Sequence, residues 1–224
     1  MLTLPLLPIN TVLFPGMPIH LHIHEERYRL MVQKAMAADH LLGTLYQIIE
    51  PYPIPPLTPS EIGCIAHIIH LKTLPDGQID LIAVGQDRFR ISEVMSYHPF
   101  PVGKVEVLPT ESPRTLEVVR GASLLYKMVK SYIQCISEAS NNRETESIQN
   151  HLHQFQLPDD PTLLIFMACE ILQIPAFEKQ KLLEILPAPQ LLRTTLRIYR
   201  REQALHAHFS KTSWEVAQGL TELN

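Results

Sequence analysis

The run GCIAHIIHLKTLPDGQIDLIAV, residues Gly63 to Val84, decides the fold class. Gly63 to Leu74 is long, apolar and rich in β-branched residues, which suits a strand. Pro75-Asp76-Gly77 follows as a hairpin turn, with a glycine where the chain must reverse. Ile79 to Val84 then reads as the return strand. Two long strands joined so tightly place an antiparallel sheet at the centre of the first half.

Strand signals continue on both sides of this hairpin. Leu4–Leu7 and Thr11–Phe14 are short strand candidates, and Phe14-Pro15-Gly16 is a turn between apolar runs. Ile19–Ile23 alternates histidine with apolar residues, so it predicts a strand with two distinct faces. Glu25–Ala38 reads as a helix with two acids at its positive end, and Leu30, Met31, Ala35 and Ala38 fall at helical spacing. Leu41–Ile48, Arg88–Val94 and Val102–Leu108 are further strands. Pro51–Pro59 holds five prolines in nine residues, so it is expected as an extended surface loop. Six or seven strands with one helix imply a closed or nearly closed mixed β-barrel.

Beyond Pro113 the apolar period changes from two to 3.6. Val118, Ala122, Leu125, Val129, Tyr132 and Ile136 advance in steps of three and four, with Val119, Tyr126 and Ile133 beside them. They predict a long amphipathic helix over 115–138. Asp159-Asp160-Pro161 is a helix start with a cap and a proline at the first helical position. The helix it opens runs to about Leu172. Phe177–Leu186 and Pro187–Phe209 are further helices, and Ser213–Leu223 is a terminal turn. The organisation expected is therefore α+β, with a barrel over 1–110 and a helical bundle over 111–224.

Composition removes several function classes. The 224 residues include 8 glycines and 19 prolines. The two closest glycines, Gly77 and Gly85, are too far apart for a phosphate-binding loop, a dinucleotide fingerprint or a nucleophile elbow. Net charge is −4, without the basic excess of a general nucleic-acid binder. Three dispersed cysteines, Cys64, Cys135 and Cys169, oppose a disulfide scaffold and a cysteine zinc site. Each is expected as a buried structural thiol. The N-terminus lacks the pattern of a signal peptide and no apolar run would span a bilayer, so a cytoplasmic location is expected.

Few residues suggest chemistry. His20, His22 and His24 share a predicted strand face. They are expected as an exposed barrel face and not as metal ligands. His151 with His153, and His206 with His208, diverge on a helix and read as surface residues. Glu25 and Glu26 suit a helix start better than acid–base work. Arg193, Arg197, Arg200 and Arg201 form a basic stripe, a candidate contact for nucleic acid or an acidic partner, with only Tyr199 as an aromatic companion. In Arg88-Phe89-Arg90, Phe89 is expected in the core and both arginines on the barrel surface. Tyr52, Ile54 and Leu57 are candidate peptide contacts on the proline-rich loop.

Taken in order, several of these segments resemble one family. Leu4 to Gly16 (LPLLPINTVLFPG) resembles the opening strand and turn of the Lon N-terminal domain. Glu25-Glu26-Arg27-Tyr28 resembles the start of its first helix. Gly63-Cys64-Ile65-Ala66 with Leu74-Pro75-Asp76-Gly77 resembles its central hairpin, and Gly85 to Ile91 a later strand. Leu157-Pro158-Asp159 and Glu178 to Glu184 resemble its helical part. The resemblance covers about residues 2–205. It implies a PUA-like β-barrel followed by a helical bundle, and a region that in the protease engages substrate polypeptides and supports assembly. Family members commonly carry Phe at the position of His24. The ATPase and Ser-Lys protease parts of such an enzyme have no counterpart in this sequence. The implied function is thus a non-enzymatic polypeptide-binding module in a stand-alone form. It would take unfolded or degron-bearing polypeptide, and a protease or other protein, as partners, and would need no cofactor. An RNA-binding PUA-like domain is the alternative.

Overall fold

The structure is a computed structural model that describes residues 1–47, 61–108, 110, 115–139, 158 and 160–221. Its strands are β1 (Leu2–Ile9), β2 (Pro18–Ile23), β3 (Leu41–Tyr46), β4 (Ile62–Thr73), β5 (Ile79–Ser96) and β6 (Val102–Leu108). The helices are α1 (Glu26–Met36), α2 (Leu116–Ala139), α3 (Pro161–Ile171), α4 (Ala176–Leu183) and α5 (Ala188–Thr221). They form two compact units. One is Met1–Ser112 with Cys169–Pro187, and the other is Pro113–Ala168 with Ala188–Asn224. A single cut at residue 110 therefore misses a segment, because Cys169–Pro187 packs with the strands.

In the first unit the strand order is β2-β5-β4-β3-β1-β6, and β6 pairs again with β5. That second pairing closes β5, β4, β3, β1 and β6 into a barrel. β1 and β3 run parallel, and the other pairings are antiparallel, so the sheet is mixed as expected. The return strand of the hairpin does not stop at Val84. It continues through Ser96 as one strand of 18 residues, where the sequence reading gave two. The length lets β5 change neighbours: Ile79–Val84 pairs with β2, and Arg88–Ser96 pairs with β6. A register shift against β4 between Cys64 and Ala66 marks the changeover, and such bulges bend and re-aim a strand.

Phe89 fills the barrel, fully buried among Leu4, Leu6, Leu45, Ile65, Ile91 and Val105. Its burial stabilises the fold by about 2–3 kcal/mol. The ring fits because two facing strands carry glycine. A Cβ on Gly43 would lie 2.8 Å from Phe89 Cζ, and one on Gly63 would lie 2.7 Å from the same atom and 2.2 Å from the Thr44 carbonyl oxygen. The predicted turn forms at Gly77, whose φ of 80° needs glycine. Gly77 N–H donates to the Leu74 carbonyl at 2.9 Å.

Two expectations fail locally. Thr11–Phe14 is not a strand, although Val12, Leu13 and Phe14 are buried. On α1 the buried residues are Tyr28, Met31, Val32 and Ala35, whereas Leu30 faces solvent and Ala38 lies exposed beyond the helix end at Met36. The apolar stripe is narrower than their spacing suggested, and aromatic Tyr28 joins it.

The second unit is built on α2 and α5. Val118, Ala122, Leu125, Val129 and Tyr132 form the buried seam of α2, and Leu191, Leu192, Thr195, Leu196 and Tyr199 that of α5. Tyr132 and Tyr199 meet edge to face, 5.2 Å between ring centres. The Tyr199 hydroxyl donates to the Ala168 carbonyl at 2.8 Å. Ile136 is only half-buried and Val119 is exposed. α3 starts as predicted, with Asp160 Oδ1 accepting from the backbone N–H of Thr162 and Leu163 at 2.8 and 3.0 Å. α5 does not end near Phe209 but continues to Thr221.

Candidate functional site

The strand carrying the histidines is the first candidate. On β2, Ile23 is buried and Ile19 and Leu21 are half-buried, while His20 and His22 are exposed. The two-faced reading of this strand holds. Register sets His22 beside Asp80 and Lys72 across β5 and β4, and His20 beside Ile82 and His70. His67 lies in the next row with Val84 and stacks on His40 at 6.2 Å. One sheet face thus gathers histidines that are dispersed in sequence; of the three expected to share it, His20 and His22 do, whereas β2 ends at Ile23 and His24 follows it, exposed.

His22 is committed to its neighbours. Its Nδ1 lies 2.7 Å from Asp80 Oδ1, and its Nε2 is hydrogen-bonded to Gln78 Oε1. Two acceptors on two ring nitrogens suit the doubly protonated imidazolium. The bonds to Asp80 and then Gln78 raise the His22 pKa above its ordinary value. The same bond lowers that of Asp80. Among the described residues, no group of three or more His, Cys, Asp or Glu is placed to share a metal ion.

A concavity lies along the exposed side of α1. It is a cleft of about 490 Å³, lined by Glu26, Arg29, Leu30, Gln33, Gly77 and Pro99 among others. Arg29 Nη1 donates to the Gly77 carbonyl at 2.9 Å, tying the helix to the hairpin tip. At the helix start Glu25 does not cap with its side chain. Its carboxylate instead accepts from Arg27 Nε at 2.8 Å. Glu25 and Glu26 therefore behave as helix-start residues.

Arg88 corrects the sequence reading. It was expected on the surface with Arg90, but it is 3% exposed. Its guanidinium donates to the carbonyls of Leu183, Ile185 and Leu186 at 3.2, 2.7 and 3.3 Å. These are carbonyls at and beyond the end of α4, where helix geometry leaves acceptors unpaired. α4 accordingly stops at Leu183, short of the Leu186 expected. Gln180 Nε2 adds a bond to the Ile62 carbonyl at 2.9 Å. Arg88 thus holds Cys169–Pro187 against the sheet. Arg90 matches its expectation, half-exposed and 3.6 Å from Glu106.

Cys64 is not set up as a nucleophile. Burial pushes the Cys64 thiol well above its usual range, and Asp87 pushes it the same way. Cys169 is buried, whereas Cys135 is half-buried, a departure from the reading of three buried thiols.

On α5, Arg193, Arg197, Arg200 and Arg201 are exposed as predicted. Arg193 pairs with Glu117, Nε to Oε1 at 2.7 Å, and Arg201 with Glu202 at 2.8 Å. Tyr199 is fully buried, so the stripe has no stacking platform there. Its charge is partly answered by acids of the same unit. His206 is half-buried against Tyr132 at 5.7 Å between ring centres, a departure from the surface reading. Tyr52, Ile54 and Leu57, and likewise His151 and His153, lie outside the described residues, as does the side chain of His208.

Comparison with known proteins places these features in a family. Residues 3–201 match the ATP-dependent protease La (LON) substrate-binding domain. A Lon protease of Flavobacterium johnsoniae is 29% identical over 199 residues, which cover 87% of this chain and 23% of the relative. One from Roseiflexus castenholzii is 24% identical over 98% of this chain and 26% of the relative. The chain thus spans about a quarter of the length of these curated relatives. The fold is similar to the crystal structure of a Lon N-terminal domain protein from Xanthomonas campestris, with a TM-score of 0.63 and 20% identity over 88% of this chain and 98% of that one. It is similar also to the N-terminal domain of a Mycobacterium avium complex Lon protease, with a TM-score of 0.60 and 20% identity over the same shares.

Proposed function

The chain belongs to the LON substrate-binding domain family, and from that membership we propose that it is a polypeptide-binding module that takes unfolded or degron-bearing segments without cutting them. The observation that carries this reading is the reach of the match, residues 3–201, to a domain described by substrate binding. The relatives align here through the stretch that corresponds to that domain. The buried, high-pKa Cys64 and the engaged His22 supply no activated nucleophile or base to set against it.

In this reading Tyr52, Ile54 and Leu57 are peptide contacts, and the α5 arginines are a secondary contact for an acidic partner. A protease or another protein is the expected recipient of what is bound, in the cytoplasm and without a cofactor. No described helix is long and apolar enough to cross a membrane. RNA binding, the alternative, is disfavoured by the net charge of −4 and by the burial of Tyr199.

Calorimetry with a reduced and alkylated protein, against the same protein in its folded form, tests the reading. Binding of the unfolded form alone is expected, with a Kd on the order of tens of micromolar. Equal binding of both forms, or of neither, defeats it. A mobility shift with structured RNA at low salt, stronger than the polypeptide signal, would establish the alternative.

A further inference from the structure

We propose that the free edge of β2 is a strand-addition site, where an extended polypeptide with alternating apolar and acidic residues pairs with Pro18, His20 and His22. The proposal rests on the polypeptide-binding reading above and gives it a location.

Among the described residues β2 ends the strand order and pairs with β5 alone. Which of its backbone groups are free follows from the ladder. Gly85 N–H donates to the Met17 carbonyl at 2.9 Å, and Gly16 N–H donates to the Gly85 carbonyl at 2.8 Å. Gly85 therefore turns its backbone toward β2. Antiparallel strands alternate in direction every residue, so Ala83, Leu81 and Ile79 do the same. Their partners Ile19, Leu21 and Ile23 point inward to meet them. The other side of β5 agrees, because Leu74 N–H donates to the Gln78 carbonyl at 2.8 Å, which turns Gln78, Asp80 and Ile82 toward β4. The backbone groups of Pro18, His20 and His22 point outward. Proline stands at an outward position, where its missing N–H breaks no bond to β5. Two donors and three carbonyl acceptors then face away from the sheet along one unbroken register.

A row of amide groups at strand spacing is matched by another extended backbone. The flanking side chains set its chemistry. Half-buried Ile19 and Leu21 on one face would gain from apolar neighbours; on the other face His22 is already paired with Asp80, and exposed His20, with Lys72 in the row of His22, favours acidic ones. The outer edge of β4 beyond Ile68 also lacks a strand partner, but a register shift between Ile68 and His70 interrupts it and Lys72 stands on it. Those are devices that guard an edge against pairing. β2 has neither.

The full chain is titrated with a fluorescein-labelled peptide alternating valine and glutamate, read by anisotropy. The peptide is also made in two N-methylated forms, one on the valine amides and one on the glutamate amides. In a strand only one alternate set faces β2. One form is therefore expected to lose binding about tenfold or more, and the other to bind within about threefold of the parent. His20→Pro removes an outward donor and should weaken binding about tenfold, while His20→Ala keeps the N–H, loses only the side chain's preference for acidic neighbours and should weaken binding about threefold. Thermal melting checks that both variants fold. Equal binding of the two N-methylated peptides overturns the proposal, whatever the variants do. If unfolded protein binds but is indifferent to His20→Pro in a folded variant, the site is elsewhere and the polypeptide-binding reading survives. If unfolded protein does not bind at all, both fall. A dimer that His20→Pro dissolves and the peptide does not displace assigns the edge to a second copy instead, and overturns the peptide.

Discussion

The two units answer the same problem with different materials. In the first, strands distant in sequence close on Phe89, and backbone meets backbone with little room to adjust. In the second, α2 and α5 meet through side chains that can move. Gly63 and Gly121 make the contrast concrete. A Cβ on Gly63 would sit 2.2 Å from a carbonyl oxygen, whereas one on Gly121 would sit 2.4 Å from Leu192 Cδ2, the end of a side chain. Tight packing is common to both sites. Only the first neighbour is fixed.

The largest effect expected is at that pair. Gly63→Ala should destabilise the protein by about 3 kcal/mol. Gly121→Ala should change stability by no more than about 1 kcal/mol, because helix propensity offsets the shift of Leu192. Urea unfolding of the two variants measures both. Equal losses would erase the distinction between the units.

Buried side chains that bond to carbonyls give a smaller contrast. Arg88 serves three carbonyls, and Tyr199 serves one. Arg88→Met should cost about 2–3 kcal/mol, with faster hydrogen exchange concentrated in residues 169–187. Tyr199→Phe keeps the ring contact with Tyr132 and should cost about 1 kcal/mol. If Arg88→Met leaves exchange in that segment unchanged, the segment is held by apolar packing and not by the guanidinium.

The smallest effect lies at the exposed edge of the first unit. The folded pKa of His22 is raised, so its bond to Asp80 contributes fully below the unfolded value and is lost as pH rises through the folded one. The folded pKa of Asp80 is lowered, so its contribution is present above the unfolded value and is lost as pH falls through the folded one. The pair is strongest between those limits. An NMR titration should place His22 above about 6.5, and Asp80→Asn should bring it back toward that value. An unchanged midpoint in the variant would show that the pair does not form in solution.

Much of this was legible from residue order. The hairpin through Gly77, the two faces of β2, the seam of α2 and the cap at Asp160 all follow from local rules. Each depends on neighbours within a few positions. The missed features depend on residues far away. Arg88 looks like a surface residue because strand alternation turns it away from Phe89. Nothing nearby in sequence signals that the end of α4, 95 residues on, will cover it. Thr11–Phe14 has the composition of a strand but leads into a turn, where the Phe14 carbonyl accepts from the Met17 N–H. Tyr199 looked like a companion to the arginine stripe until α5 packed its ring inward.

The sequence alone indicated most of the strands and helices and the family they resemble, because turn chemistry and apolar period act over short distances. Long-range pairing alone sets that β5 runs unbroken past two neighbours, that residues 169–187 join the barrel unit and that, among the described residues, β2 pairs on one side only. Those outcomes depend on which backbone donors and acceptors find partners. That is a property of the assembled sheet and not of any stretch within it.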